Sequence, residues 1–145
     1  MLIFIGCGPK EQIAKKPQEK PRVVSQLESG QPQYTPGETA NFTFTVKNND
    51  AENRKLFLIS ERPYFFEAYD MKNQLVWRDA KKKDAAKFQE FILLAYEQKK
   101  YTASWDCTLE NGKMPKLGKY KIKAYVPVAD NVKGFSDSLF IEIVD

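Results

Sequence analysis

The chain contains no histidine among its 145 residues. This absence removes the commonest general base near neutral pH, the Ser-His and Cys-His nucleophile pairs, and most zinc sites. The sequence also lacks a phosphate-binding loop, a glycine-rich dinucleotide turn and cysteines at metal-ligand spacing. A carboxylate pair is formally possible, but none of the 19 Asp and Glu residues stands in a catalytic motif. We therefore expect a protein that is not an enzyme and binds no metal or other cofactor.

Basic residues are in slight excess and are spread along the chain. The net charge is +4, and nucleic-acid binding usually needs basic residues concentrated on one face. We therefore expect no nucleic-acid partner. Lys81, Lys82, Lys83 and Lys87 form a candidate basic patch for an acidic partner. The alternative is solvated charge, because residues 80–86 suit an exposed loop or a short helical turn.

The N-terminus resembles the end of a bacterial lipoprotein signal peptide. Phe4, Ile5, Gly6 and Cys7 match a lipobox, in which a small residue precedes the cysteine that takes the lipid. A basic start and a full apolar stretch of about 7–15 residues are not present, so an ordinary apolar N-terminus in a cytoplasmic protein is the alternative. We expect residues 1–6 to be a signal-peptide remnant. Lipidated Cys7 would then be the membrane attachment of a protein that faces outside the cytoplasm.

Residues 7–21 have the composition of a flexible linker. The segment GPKEQIAKKPQEKP at 8–21 holds three prolines and many charges but little that is apolar. Such a segment buries too little surface to offset its ordering entropy, so we expect disorder. A tether of this length would hold a domain about 20 Å or more from its anchor.

The second cysteine, Cys107, has no disulfide partner if Cys7 is acylated. It is either a reactive thiol or a small buried residue at the end of a strand. Because the chain has no histidine to activate it, the second interpretation is favoured.

From residue 22 onward the dominant hydrophobic period is two. In the segment 41–47, Phe42, Phe44 and Val46 share one face while polar residues occupy the other, which is typical of a half-buried strand. Turn residues separate such segments at 35–38, 48–50, 70–74 and 110–113. Strands are predicted at 23–28, 41–47, 55–60, 64–69, 75–77, 88–93, 100–106, 119–126 and 138–144.

Short alternating strands without convincing helices favour an all-β fold. We expect residues 22–145 to form an immunoglobulin-like antiparallel β-sandwich behind a disordered N-terminal tether. Trp77 and Trp105 are in phase with the apolar faces of their strands. They are therefore predicted to anchor the core rather than to stack on a ligand.

Several motifs together resemble the intracellular proteinase inhibitor (BsuPI) family of bacterial domains across residues 42–126. A Tyr-x-Phe…Tyr-Asp hairpin ends in Val76-Trp77, and Trp105-Asp106 follows later in the chain. An Asn-Gly-Lys turn at 111–113 then leads to Gly118-Lys119-Tyr120. The chain departs from the family pattern at 95–98, where a Pro-Gly turn is usual, and in the basic run at 81–83.

The resemblance implies binding to subtilisin-like serine proteases. Two functions are open: a proteinase-inhibitor-like module on a cell-envelope lipoprotein, or an envelope interaction or structural domain without inhibitory activity. The partner would be such a protease or another envelope protein. An inhibitor needs an exposed, restrained loop, and the alternative for the same stretch is a plain polar hairpin. The candidate loop consists of Lys113, Met114, Pro115, Lys116 and Leu117.

Overall fold

The computed structural model describes residues 22–129 and 132–145, with the backbone alone at residues 85–88. The predicted signal-peptide remnant and linker, residues 1–21, lie outside the described residues. The described chain is all strand and loop. Its strands are β1 (Val23–Ser29), β2 (Gln33–Tyr34), β3 (Ala40–Asn48), β4 (Arg54–Ser60), β5 (Phe65–Tyr69), β6 (Leu75–Arg78), β7 (Asp84–Leu93), β8 (Gln98–Trp105), β9 (Gly118–Tyr125) and β10 (Ser136–Ile143).

These strands form three sheets. The orders are β1-β3-β8, β2-β10-β9-β5-β6 and β4-β7. The larger two pack face to face, and the predicted immunoglobulin-like β-sandwich is confirmed. Pairing is antiparallel throughout except for the short parallel pair of β2 with β10.

The core lies between the three-stranded and the five-stranded sheet. Phe42, Phe44 and Val46 of β3 are buried, as their alternation predicts. Phe42 and Phe44 contact Phe66 of β5, with ring centroids 6.5 and 6.2 Å apart. Burying such large side chains is the main favourable term for folding, at about 25 cal/mol per Å² of apolar surface.

Both tryptophans are core residues. Trp105 is completely buried, and Trp77 packs against the core from β6. Their rings are stacked with centroids 5.7 Å apart, and Trp105 also meets the ring of Tyr120 edge-on at 5.9 Å. The predicted anchoring role is confirmed for Trp105, and Trp77 is partly buried with its ring stacked on that core residue.

Two segments differ from the sequence-based expectation. β2 was not predicted; its Tyr34 is buried and its hydroxyl accepts the Gln31 backbone N–H at 3.0 Å. A loop or helical turn was expected over residues 80–86, and this is wrong from residue 84 onward. Asp84 is the first residue of β7 and pairs with Ser60 of β4. Cross-strand pairing with β4 therefore overrides the polar composition of that segment.

Two connections between strands lie side by side at one end of the sandwich, and one of them is the longest in the described ranges. The β8–β9 connection, residues 106–117, lies beside the β5–β6 turn, residues 70–74, because β8 and β5 both end there and β9 and β6 both begin there. The opposite end carries the β7–β8 turn, where Asn48 donates hydrogen bonds to the carbonyls of Leu93 and Leu94 at 3.2 and 3.0 Å. Nowhere in the described ranges does the chain form a helix of the length and apolarity that a membrane crossing needs.

Candidate functional site

The β8–β9 connection, hereafter the end loop (residues 106–117), is anchored where it leaves β8. The buried Trp105 donates its indole N–H to the carbonyl of Thr108 at 2.8 Å. A tight turn follows, in which Leu109 and Lys113 are joined through a backbone hydrogen bond of 2.8 Å. Gly112 has a φ of 79°, a left-handed conformation that glycine adopts without strain. The Asn-Gly-Lys motif therefore works as a turn.

The second half of the end loop carries the predicted contact residues. Met114 and Leu117 are 62% and 56% exposed, whereas Pro115 between them is buried. Lys113 and Lys116 are exposed as well. The carbonyl of Lys116 accepts a hydrogen bond of 2.7 Å from the hydroxyl of Tyr120. Exposed side chains thus stand on a backbone that is held at a buried proline and at a buried tyrosine.

A groove of about 390 Å³ runs beside the end loop. Its opposite wall is the β5–β6 turn, which the sequence predicts only as a hairpin connection. Met71 of that turn is 66% exposed. Val76 and Tyr120 line the interior of the groove, and Lys116 and Leu117 are shared with the end loop. Nothing in the local sequence indicates this groove, because it forms where two distant connections meet.

The structure describes the side chains of three of the four lysines in the candidate basic patch. Lys81, Lys82 and Lys83 are exposed on the segment between β6 and β7. The Lys83 ammonium lies 3.9 Å from a Glu61 carboxylate oxygen, and the Lys82 ammonium lies 5.7 Å from the Tyr125 ring centroid. Lys87 is not on the same loop as predicted, since its backbone belongs to β7; its side chain lies outside the described residues. Partners within the chain thus already occupy two of these lysines.

A buried carboxylate was missed by sequence reasoning. Glu67 of β5 is 2% exposed, and its carboxylate accepts hydrogen bonds from Tyr69 at 2.6 Å and Tyr125 at 2.9 Å. Arg78 of β6 adds two contacts, from Nε at 2.7 Å and from Nη2 at 2.6 Å. The cluster ties β5 to the strands on either side of it. Phe65 and Tyr69 alternate with Glu67 onto the same face of β5. Two aromatic neighbours on one face are the feature of the sequence that could have indicated a buried carboxylate there.

The electrostatics of this cluster favour a structural role. Burial alone would raise the pKa of Glu67, but the hydrogen bonds from Tyr69, Arg78 and Tyr125 hold that pKa below its usual value. Burial and the neighbouring Glu67 carboxylate raise the pKa of Tyr69 to about 12. A general acid or base needs a pKa near the working pH, so this ionised, fully hydrogen-bonded carboxylate is poorly suited to proton transfer. In the described ranges no three acidic or cysteine side chains converge as metal ligands would.

Cys107 is the small buried residue that the sequence predicts. Its side chain has no solvent exposure. Burial raises the pKa of its thiol to about 11, and the Asp106 and Glu38 carboxylates contribute to that increase. Because the thiolate is the reactive form, the Cys107 thiol has low reactivity in the folded protein.

We expect Cys107 to resist alkylation until the protein unfolds. Iodoacetamide at mildly alkaline pH should modify it at least about 100-fold more slowly in the native protein than in guanidinium, since both the thiolate and access to it are lacking. Peptide mapping by mass spectrometry measures Cys107 separately from Cys7. Similar rates in the two states would contradict the buried assignment.

The family relationship rests on a match over most of the chain. The family model for BsuPI, intracellular proteinase inhibitor, matches residues 27–131. This chain belongs to the BsuPI family. The match includes the sandwich strands β3 to β9, the end loop and the groove, and membership in an inhibitor family favours a role without catalysis. No curated protein sequence matches the chain.

Solved structures with TM-scores above 0.5, such as Spo0M and AlkC, share the fold of this BsuPI domain at low sequence identity, whereas the similarity to a CARDB domain is below that level. The sporulation control protein Spo0M from Bacillus subtilis is 14% identical with a TM-score of 0.54, covering 87% of this chain and 51% of that one. The alkylpurine DNA glycosylase AlkC from Pseudomonas fluorescens is 16% identical with a TM-score of 0.53, covering 88% and 32%. The CARDB domain of PF1109 from Pyrococcus furiosus is 15% identical with a TM-score of 0.48, covering 92% and 97%.

These similarities describe the architecture only. The BsuPI chain spans about a third of the length of AlkC and about half of Spo0M. Sandwich folds of this kind serve many functions. The glycosylase chemistry belongs to AlkC, whereas a function of this chain depends on the residues of its own end loop and their surroundings.

Proposed function

We propose that this BsuPI domain inhibits a subtilisin-like serine protease by inserting the end loop into the protease cleft. Family membership supports a proteinase-inhibitor-like module. The main structural support for the proposal is that the end loop is both exposed and restrained. Large apolar side chains stand exposed on a backbone held at Pro115 and at the Lys116–Tyr120 hydrogen bond. A loop ordered before binding loses little entropy when it binds, which favours tight association.

Met114 is the residue best placed to enter the protease specificity pocket. In a substrate-like inhibitor, that residue needs an exposed side chain and a carbonyl free to enter the oxyanion hole. The carbonyls of Lys113 and Lys116 are occupied by Leu109 N–H and the Tyr120 hydroxyl. Within the described part of the chain the carbonyl of Met114 accepts no hydrogen bond. Leu117, also exposed, instead lines the groove.

The residue after Met114 suits an inhibitor rather than a substrate. The amide nitrogen of the Met114–Pro115 bond belongs to a proline ring, and Pro115 is buried. If a protease cleaved this bond, the new amine would stay held against the domain, close to the acyl group. Proximity of that kind favours re-forming the bond over releasing the product.

The proposed activity is tested by titrating a purified subtilisin-like protease with the full chain and following hydrolysis of a chromogenic peptide. We expect residual activity to fall linearly to an equivalence point, with a dissociation constant of about 10 nM or tighter, because protease–inhibitor pairs are among the tightest protein complexes. If the protease keeps its full activity at micromolar concentrations of the chain, the inhibitor proposal is wrong. The domain would then be assigned to the other expected function, envelope interaction without inhibition.

We further propose that the domain is held on the cell envelope by lipidated Cys7 and faces outside the cytoplasm. The lipobox-like residues Phe4 to Cys7 and the charged, proline-rich residues 8–21 support this location. The protease would then be a secreted or envelope-bound enzyme. The word intracellular belongs to the description of the family, and an envelope location would distinguish this chain from that description.

Replacing Cys7 with Ser should move the native protein from the membrane fraction to the soluble fraction. The thioether to diacylglycerol cannot form on serine, and two acyl chains supply most of the membrane affinity, at about 0.8 kcal/mol per buried CH₂. Cell fractionation and intact-protein mass spectrometry measure the change, with Cys107→Ser as the control that keeps the anchor. An unmodified Cys7 behind a free N-terminal Met would contradict the envelope location.

A further inference from the structure

The groove beside the end loop combines an apolar interior with a basic rim. Its volume of about 390 Å³ is within the range of roughly 300–1,000 Å³ usual for ligand-binding clefts. Met71 and Leu117, both more than half exposed, lie at the opening of the groove on its two sides. The other apolar side chains along its walls are Val76, Leu109 and Tyr120.

Three lysines surround these apolar walls, and Glu142 of β10 stands opposite one of them, Lys119, across the sheet. Lys72, Lys116 and Lys119 line the groove and are exposed. Across the described residues none of the three forms an ion pair, whereas Lys55, Lys83, and Lys99 each do.

The acidic residue in the lining is already engaged. Asp70 Oδ1 accepts hydrogen bonds from the backbone N–H groups of Lys72 and Gln74, both at 2.9 Å. That carboxylate stabilises the turn and forms no ion pair with the three lysines, so the groove lining carries three positive charges and one negative charge. The rim of the groove is positive while its interior is apolar.

We propose that the groove binds a peptide segment of a partner protein in which a large apolar side chain is flanked by carboxylates. The apolar side chain would fill the space between Met71 and Leu117, where its burial is favourable. Neighbouring Asp or Glu residues would meet the lysines, which act as flexible point charges. Arginine forks and exposed aromatic faces, the usual devices for phosphate and base recognition, are not among the groove residues.

The inference does not require the partner to be a protease. Met71, Lys72 and Lys119 lie outside the end loop, on the β5–β6 turn and on β9. A protease seated on the end loop would nevertheless reach the groove, because Lys116 and Leu117 belong to both. Substitutions on the β5–β6 turn therefore test the groove separately from the loop.

The test is fluorescence anisotropy with a labelled peptide, Asp-Glu-Phe-Glu-Asp, at low ionic strength. We expect a dissociation constant of order 10–100 μM, weakened at least about tenfold when the peptide Phe is replaced by Ser, because that removes the buried apolar side chain. High salt should weaken binding several-fold by screening the lysines. A peptide with Lys in place of its acidic residues should not bind.

Protein variants locate the contact. Lys72→Glu and Lys119→Glu should each weaken binding about 3–10-fold. The matched control is Lys47→Glu, which makes the same change of charge on an exposed position of β3, away from the groove. Met71→Ser should reduce the preference for Phe over Ser in the peptide. Far-ultraviolet circular dichroism confirms that each variant is folded.

Three results would overturn the inference: no binding of the acidic Phe peptide, equal binding of the Phe and Ser peptides, or equal weakening by Lys72→Glu and Lys47→Glu. The last two would indicate general attraction of polyanions to a basic surface. Because Lys72→Glu leaves the end loop unchanged, loss of peptide binding with inhibition retained supports the groove. Absence of protease inhibition with peptide binding retained would affect only the proposed inhibitor.

Discussion

Replacing Met114 with Asp should weaken inhibition of the target protease at least about 100-fold, which corresponds to about 2.7 kcal/mol of binding free energy. Met114 is 62% exposed, so the substitution costs the free domain little. In the complex it would bring an unpaired carboxylate into an apolar specificity pocket, where burial of a charge without a partner is strongly unfavourable. Inhibition constants from residual-activity curves measure the effect.

The matched control for this prediction is Leu94→Asp. Leu94 is also an exposed apolar residue in a connection, 50% accessible, but it lies in the β7–β8 turn at the opposite end of the sandwich. We expect inhibition to change less than about twofold, as for a surface site away from the contact. Equal losses in the two variants would show that the end loop is not the contact surface.

Replacing Arg78 with Met should lower the free energy of unfolding by about 3 kcal/mol, because it leaves the buried Glu67 carboxylate without its cation. Arg78 makes two contacts to that carboxylate at 2.7 and 2.6 Å, and the Glu67 side chain is only 3% exposed. The hydroxyls of Tyr69 and Tyr125 would stay as donors but carry no charge. Urea unfolding followed by tryptophan fluorescence measures the difference.

The control for charge removal is Arg54→Met. Arg54 is half-buried at the start of β4 and forms no ion pair within the described part of the chain. Its loss should cost less than about 0.5–1 kcal/mol. A double variant with Glu67→Gln and Arg78→Met should be more stable than Arg78→Met alone, since no charge is then left buried. Equal effects of the two arginine substitutions would contradict the role of the cluster.

The same cluster gives the stability a pH dependence of known sign. The folded-state pKa of Glu67 is below its usual value, so its contribution is fully present above that usual value and is lost as pH falls through the folded pKa. In Arg78→Met the Glu67 pKa rises, and protonation relieves the unpaired charge. The stability difference between wild type and Arg78→Met should therefore be largest near neutral pH and shrink toward about pH 3.

Much of the fold is predictable because local and global preferences agree. In β3, β8 and β9 the apolar residues alternate strictly, and one face meets the core while the other meets water. β5 breaks this pattern, since Phe65, Phe66, Glu67 and Ala68 are all buried. Its second face is covered by side chains from β6 and β9, which alternation within a single strand cannot indicate.

The candidate site is predictable only in part. The sequence indicates the end loop, because its turn residues and its proline are adjacent in the chain. The groove and the Glu67 cluster depend on contacts between distant segments, such as the hydrogen bond between Glu67 and Tyr125. The carbonyl of Lys116 is likewise engaged by a residue of another element, the Tyr120 hydroxyl of β9, which the loop sequence alone does not indicate.

Amide hydrogen exchange in the presence of protease tests most directly whether the end loop is the recognition surface. With an active subtilisin-like protease in stoichiometric amount, amides of residues 109–118 should be protected, while those of the β7–β8 turn should exchange as in the free domain. With a protease whose active site is covalently blocked, protection should disappear. Protection confined to the β7–β8 turn would contradict insertion of the loop into the cleft. So would protection that is the same with the active protease and with the blocked protease.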